Sequence, residues 1–343
     1  MEISDNRFTN SFDFLRLLGA VGVIYLHAYH LLHLQDDIGL DQILHRQLNL
    51  TVMMLGIFFT ASGYLIARSV ERSSSLKNYL WKRILRVQPL LTLVCLLTVF
   101  VLGPLFTEWS ISAYFKSGSS WSYLRTIFPA LGIQFQLPGV FERNIGERGV
   151  NGSLWTLIIE ERVYLAMGLL FLIRRRRSQW FTAFVAVLNI LYLLNHYKAG
   201  GFHFNVLDSY TTQYYVLFFN GALCYFLKIP FHRINSLLMI SAVAIVYFLF
   251  RHTIEATLYL LPLLILLIGS RKTVFSGTAK WGDITYGLYV LSFPVQQMLI
   301  HLSQNSIRPP VLFVLTLAIC IPLAYLSWHC LEKQFLKLRH LVQ

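Results

Sequence analysis

Apolar residues run through this chain in long unbroken blocks, not in the alternating or one-sided patterns of a soluble fold. Ten blocks can be marked, at about residues 12–33, 48–68, 88–106, 153–173, 179–195, 211–227, 236–250, 254–270, 283–302 and 310–331. A helix needs ~20 apolar residues to cross the hydrocarbon core of a bilayer, and most blocks approach that length. The pattern predicts an all-α integral membrane protein with about ten transmembrane helices. Composition agrees: 56% of residues are hydrophobic and only 13% are charged, too apolar for a soluble domain of 343 residues.

Net charge is +13. In a soluble protein that excess would suggest nucleic acid as a partner; here its placement follows topology instead, and no nucleic-acid role is expected. When the blocks alternate from a cytoplasmic N-terminus, about two-thirds of the 29 lysines and arginines fall on cytoplasmic segments. Both termini are therefore expected in the cytoplasm, with a single polytopic domain over residues 1–343. The first block carries charge and lacks an Ala-x-Ala-like cleavage site, so no removable signal peptide is expected. Cys95, Cys224, Cys320 and Cys330 all lie in apolar blocks, which argues for packing and against a disulfide framework.

Charge inside the blocks marks candidate chemistry, because ionisable groups in a membrane helix are costly. The first block, FDFLRLLGAVGVIYLHAYHLL, carries Arg16 and His27. Eleven residues put them on nearly one helix face, about 16 Å apart along the axis. A snorkelling Arg16 and an interhelical hydrogen bond from His27 are the plainer readings of the same residues. The fourth block opens VNGSLWTLIIEER, with Glu160, Glu161 and Arg162 in sequence. Glu160 sits about 10 Å from the start of that block, a depth that matches His27 and allows a His–carboxylate pair. His27, His30 and His33 recur every three residues but drift in angle around a helix, and no metal site is expected.

Elsewhere the sequence offers weaker signals. Residues 74–88 alternate apolar Leu76, Leu80, Ile84 and Val87 with Lys77, Lys82, Arg83 and Arg86, which predicts an amphipathic helix on the cytoplasmic surface. Arg83 and Arg86 are one turn apart, spaced either for anionic lipid or to clamp phosphate oxygens. The longest outer loop, 107–152, is rich in Trp109, Trp121, Phe128, Phe135 and Phe141. Those rings suit an interfacial belt or sugar stacking. FFTASGYLIARS places Ala61, Ser62 and Gly63 together, which suits either close helix packing or a ligand's approach to the backbone at the Ser-Gly step. Pro294 is expected to kink the ninth block, which also holds Gln296 and Gln297 at mid-depth.

The order of these motifs resembles that of the acyltransferase-3 family of membrane proteins, including bacterial O-antigen O-acetylases, over nearly the whole chain. FDFLRLLGAVGVIYLH is similar to the family's Arg-x10-His helix, on Arg16 and His27. FFTASGYLI, RILRVQP, NGSLWTLIIE, TYGLYVLSFPVQQ and EKQF follow as its further stretches, matching Arg83, Arg86 and Glu160. Glu161 and Arg162 depart from the family pattern, and the residues leave Glu160 and Glu161 as alternatives. Ser292 stands where many relatives have His, and the chain stops at Gln343 with no appended soluble hydrolase domain expected.

The resemblance implies acyl transfer from cytoplasmic acyl-CoA, by default acetyl-CoA, to a hydroxyl of a surface polysaccharide such as O-antigen lipopolysaccharide, or of a lipid-linked oligosaccharide. It implies the bacterial inner membrane, with membrane lipid, acyl-CoA and a glycan acceptor as partners and no metal. Arg83, Arg86 and Arg16 would hold the donor's phosphates. His27 would act as base or transient acyl carrier, with Glu160 orienting it. A transporter of an amphipathic or anionic solute is the competing reading of many spans with buried charge.

Overall fold

The computed structural model describes residues 10–34, 50–173, 176–201, 203–205, 209–231, 242, 245 and 256–342. Most of the block at 236–250, along with Arg7, Arg46, Arg174, Arg175, Arg233, Arg251 and Glu255, lies outside the described residues. Among the described residues the fold is helical, with no named strand and a single isolated bridge between Thr107 and Val140. The principal helices are α1 (Phe12–His30), α2 (Leu50–Arg72), α3 (Leu76–Leu97), α4 (Trp155–Gly168), α5 (Arg177–His196), α6 (Ser209–Phe226), α7 (Leu261–Gly269), α8 (Thr285–Leu302) and α9 (Pro309–Ser327).

Among the described residues, five stretches are long and apolar enough to cross a membrane: Phe12–His30, Leu50–Arg72, Leu76–Phe106, Arg177–His196 and Pro309–Leu341. Burial supports that reading for α9. Its packed positions are Pro309, Leu312, Thr316, Cys320 and Ala324, a stripe at steps of three and four residues, while Val314, Ile319, Ile321 and Leu326 face outward. Apolar residues on the outward face, with threonine and cysteine packed inward, invert the order of a water-soluble helix. In α5 the buried set includes Asn189 and Asn195, whereas Trp180, Val187 and Ile190 are exposed. The fourth block is shorter than its apolar run suggests. At 14 residues α4 spans about 21 Å, followed by a 3-10 turn over Leu169–Phe171.

The amphipathic segment expected at 74–88 is not a separate surface helix. It continues through Pro89 as α3, then through a π-helical turn (Thr98–Leu102) and Gly103–Phe106. Hydropathy changes at Pro89, but the backbone does not break there. Proline removes one N–H and costs one helical bond without forcing a stop.

The helices fall into two compact units. The first takes in residues up to Gly19, Arg46–Tyr79 and Val163–Trp281. Backbones approach closely in it. A Cβ on Gly63 of α2 would collide with the Phe218 carbonyl oxygen of α6, and one on Gly221 would collide with the Thr60 carbonyl oxygen. The Ala-Ser-Gly step of the second block is thus a packing feature. Asn189 and Asn220 bridge α5 and α6 at 2.9 Å, and Asn220 also donates to the Leu258 carbonyl.

The second unit takes in Ala20–His45, Leu80–Arg162 and Gly282–Gln343. Here the long loop after α3 folds back along that helix through short turns at Ile111–Lys116, Gly118–Ser122 and Tyr123–Ile127. Tyr114 Oη donates to the Val99 carbonyl at 3.0 Å, in a space kept open by Gly103. Burial pushes the Tyr114 phenol up to about 12, which keeps it a neutral donor. Further on, the Ala130 N–H reaches Glu161 of α4, whose other oxygen accepts from Gln88 of α3. The chain then returns to its starting point, where Thr107 Oγ1 donates to the Pro138 carbonyl at 2.8 Å. Of the loop aromatics, Trp109, Trp121, Phe128 and Phe135 are exposed, but Phe141 is fully buried. All four cysteines are free, and Cys330 is exposed where its apolar block suggested packing.

Candidate functional site

His27 lies on the last turns of α1, on the part of that helix belonging to the second unit. Its ring meets Phe293 of α8 edge-on, with centroids 5.2 Å apart. The Nδ1 atom is buried without a hydrogen-bond partner. That nitrogen is therefore not bonded to Glu160, and the pairing allowed by their matched depth is not made through it.

Phe293 owes its position to Gly152. A Cβ there would sit 2.6 Å from the phenyl ring. The glycine of the NGSLW motif thus leaves room for the ring against which the imidazole rests. Gln296, one turn further along α8, is fully buried. Its Nε2 donates to the Ile24 carbonyl at 2.9 Å, one turn before His27 on α1, and its Oε1 has no partner. Gln297 donates to the Glu147 and Gly149 carbonyls at 2.5 and 2.6 Å and accepts from Asn144 at 2.9 Å. Gly146 in the same loop packs against the Leu31 carbonyl just beyond α1.

The start of α4 docks on α8 through buried polar groups. Asn151 Nδ2 donates to the Val290 carbonyl at 2.9 Å, and Ser153 Oγ donates to Asn151 Oδ1 at 2.7 Å. Tyr289 Oη donates to the Ser153 carbonyl at 2.8 Å and lies 2.5 Å from Thr156 Oγ1. One turn on, Glu160 is buried, within Coulombic reach of Tyr286 and Tyr289. Its neighbour Glu161 holds Gln88 at 2.9 Å and the Ala130 N–H at 2.8 Å. The two carboxylates thus differ in surroundings: Glu161 ties the folded-back loop to α3, and Glu160 faces the tyrosines of α8.

Arg86 sits where three motifs converge. It reaches Asp283 at 2.5 Å and Glu332 at 3.3 Å, and its guanidinium lies 5.5 Å from the Trp328 ring centroid and 5.9 Å from that of Tyr286. Tyr286 Oη in turn donates to the Val87 carbonyl at 2.9 Å. Arg86 is therefore already neutralised by carboxylates, which the Arg-x-x-Arg spacing did not reveal. Arg83, also on α3, is half-buried. Arg16 belongs to the first unit, its guanidinium 5.6 Å from the Phe58 ring centroid. Among the described residues no group of three or more His, Cys, Asp or Glu is placed to hold a metal ion.

The structure thus gathers His27, Arg83, Arg86 and Glu160 into one unit and leaves Arg16 in the other. Sequence reasoning missed Gly152, Phe293, Tyr289 and Asn151. Their signal was present in the NGS and TYGLYVLSF stretches, but each matters only through its partner in the other stretch.

The Acyltransferase domain model of the acyltransferase-3 family matches residues 9–329. The chain belongs to that family. It is 27% identical to an "O-acetyl transferase" of Shigella phage Sf6, over 96% of both chains. It is 25% identical to "Nodulation protein 10" of Rhizobium leguminosarum bv. viciae, over 96% of this chain and 94% of that protein. No solved structure matches the chain. The family match covers parts of both units, and its helices and exposed apolar faces are those of a multi-pass membrane acyltransferase.

Proposed function

We propose that this acyltransferase moves an acyl group, acetyl by default, from cytoplasmic acyl-CoA to a hydroxyl of a surface or lipid-linked glycan outside the bacterial inner membrane. The observation that carries this reading is His27: an imidazole on a membrane-length helix, with Nδ1 buried, unpartnered and backed by Phe293. An unsatisfied buried nitrogen is costly, and a substrate hydroxyl would satisfy it. In the proposed step His27 takes the proton as the hydroxyl oxygen attacks the thioester carbonyl. A new C–O bond forms, the C–S bond breaks, and the proton passes to the departing CoA thiolate. Transient acylation of His27 is the covalent variant of the same step.

Glu160, buried one turn beyond Thr156, is proposed to stabilise the imidazolium through the field of the site, since it makes no bond to Nδ1. Arg83 and Arg86 are proposed as contacts for the donor's phosphates, with Arg86 sharing its charge with Asp283 and Glu332. Arg16 is proposed as a further cation on the helix that carries His27.

The test is transfer of label from acetyl-CoA into membrane glycans, comparing the natural protein with His27→Ala at matched expression. Label in an ester-linked, mild-base-labile fraction that falls to background in the variant supports the reading. Equal labelling by the variant makes His27 structural. In the same assay, activity should fall once acidification protonates the imidazole, because only its neutral form accepts a proton, and activity that rises on acidification counts against His27 as base.

A further inference from the structure

On α8, Phe293 and Gln296 are one turn apart and face Ile24 and His27, one turn apart on α1. These two facing turns carry two buried polar atoms without partners, His27 Nδ1 and Gln296 Oε1. The orientation of the amide is fixed. Nε2 donates to the Ile24 carbonyl, and flipping the group would set oxygen against oxygen. Gln296 Oε1 is therefore an acceptor waiting for a donor. Neither the helix pair nor the loop supplies one, although Gln297, its neighbour, has its amide nitrogen bonded twice. Buried acceptors in folded proteins are nearly always satisfied, and an exception beside reactive chemistry points to a bound molecule.

We propose that Gln296 is an acceptor-positioning residue: its Oε1 receives a hydrogen bond from a hydroxyl of the acyl acceptor, holding that molecule against His27. The proposal rests on the acyl-transfer reading and adds to it the group that favours a polyhydroxylated acceptor over water. Sites built to bond a hydroxyl reject molecules that cannot offer one in the right place, because their own polar group is then stranded.

The experiment compares two rates in one preparation of full-length protein in native membranes. One is transfer of labelled acetyl from acetyl-CoA into membrane glycan, and the other is acceptor-independent release of free CoA. Gln296→Leu, which keeps the volume and removes the acceptor oxygen, is expected to lower the ratio of transfer to release about tenfold. Gln296→Glu, protonated in that setting, keeps both the acceptor oxygen and a donor for Ile24 and should restore at least half of the ratio. If transfer and release fall together in Gln296→Leu, leaving the ratio unchanged, the residue only anchors α8 to α1 and the proposal is overturned. Should the leucine variant not fold, a ratio in Gln296→Glu that falls as far as tenfold overturns it equally. If the natural protein neither transfers label nor releases CoA, the acyl-transfer reading itself fails, a result distinct from either of those.

Discussion

Inside each of the two units, the helices are held by a different balance of contacts. In the first, backbone approaches backbone, Gly63 against Phe218 and Gly221 against Thr60, beside a few polar links such as Asn189–Asn220 and Tyr79 to the Tyr164 carbonyl. In the second, side chains reach across to main-chain carbonyls, as Asn151, Gln296, Gln297, Tyr286 and Tyr289 all do. Close approach suits a scaffold, since small residues have few ways to pack and none to react. Side-chain-to-backbone bonding fixes polar groups at chosen depths, which is what a reactive site in a membrane requires. The chemistry-bearing motifs follow this division: His27, Arg83, Arg86 and Glu160 lie in the polar-bonded unit.

Mutations that attack each means of assembly should separate them. The largest effect is expected from Gly63→Val, whose side chain would drive into the Phe218 carbonyl. Little folded protein should be recovered by size exclusion in detergent, and normal recovery would show that α2 and α6 can spread apart. In the other unit, Arg86→Met leaves Asp283 and Glu332 without their shared cation. Removing one partner of a buried ion pair typically costs about 3–5 kcal/mol, so a marked drop in thermal unfolding temperature is expected. An unchanged temperature would mean that the carboxylates are not charged against Arg86. A smaller and more selective effect is expected from Gly152→Ala. Its methyl would press on Phe293 and shift the ring behind His27, with overpacking of about 1–3 kcal/mol. Acetyl transfer should fall about tenfold while folded yield stays near normal, and undiminished transfer would separate Phe293 from the function of His27.

The sequence made the helical membrane architecture legible because membrane helices are long and apolar wherever they occur. It was equally clear that Arg16, His27, Arg83, Arg86 and Glu160 break that pattern. What stayed hidden was which motifs meet. Asn151 and Tyr289 lie 138 residues apart in number, and nothing local says that α4 begins on α8. Likewise, the Arg83–Arg86 spacing allowed either anionic lipid or a phosphate clamp, and nothing local showed that Asp283 and Glu332 arrive from distant segments to bond Arg86. The loop at 107–152 gave no periodic signal for folding back on α3, since its anchors are single side chains: Tyr114, Thr107 and the carboxylate of Glu161. Glu160 and Glu161 were indistinguishable until Gln88 and Ala130 were seen to claim the second.

The packed stripe of α9 bears on how this protein can vary among its relatives. Leu312, Thr316, Cys320 and Ala324 mesh with neighbouring chain, while Val314, Ile319, Ile321 and Leu326 need only be greasy. Lineages can exchange leucine, valine and isoleucine on that outer face almost without penalty, eroding identity yet leaving the architecture intact. Identity of about a quarter over nearly full length, as with the two relatives, is a level at which such a face can differ freely while each helix keeps its place.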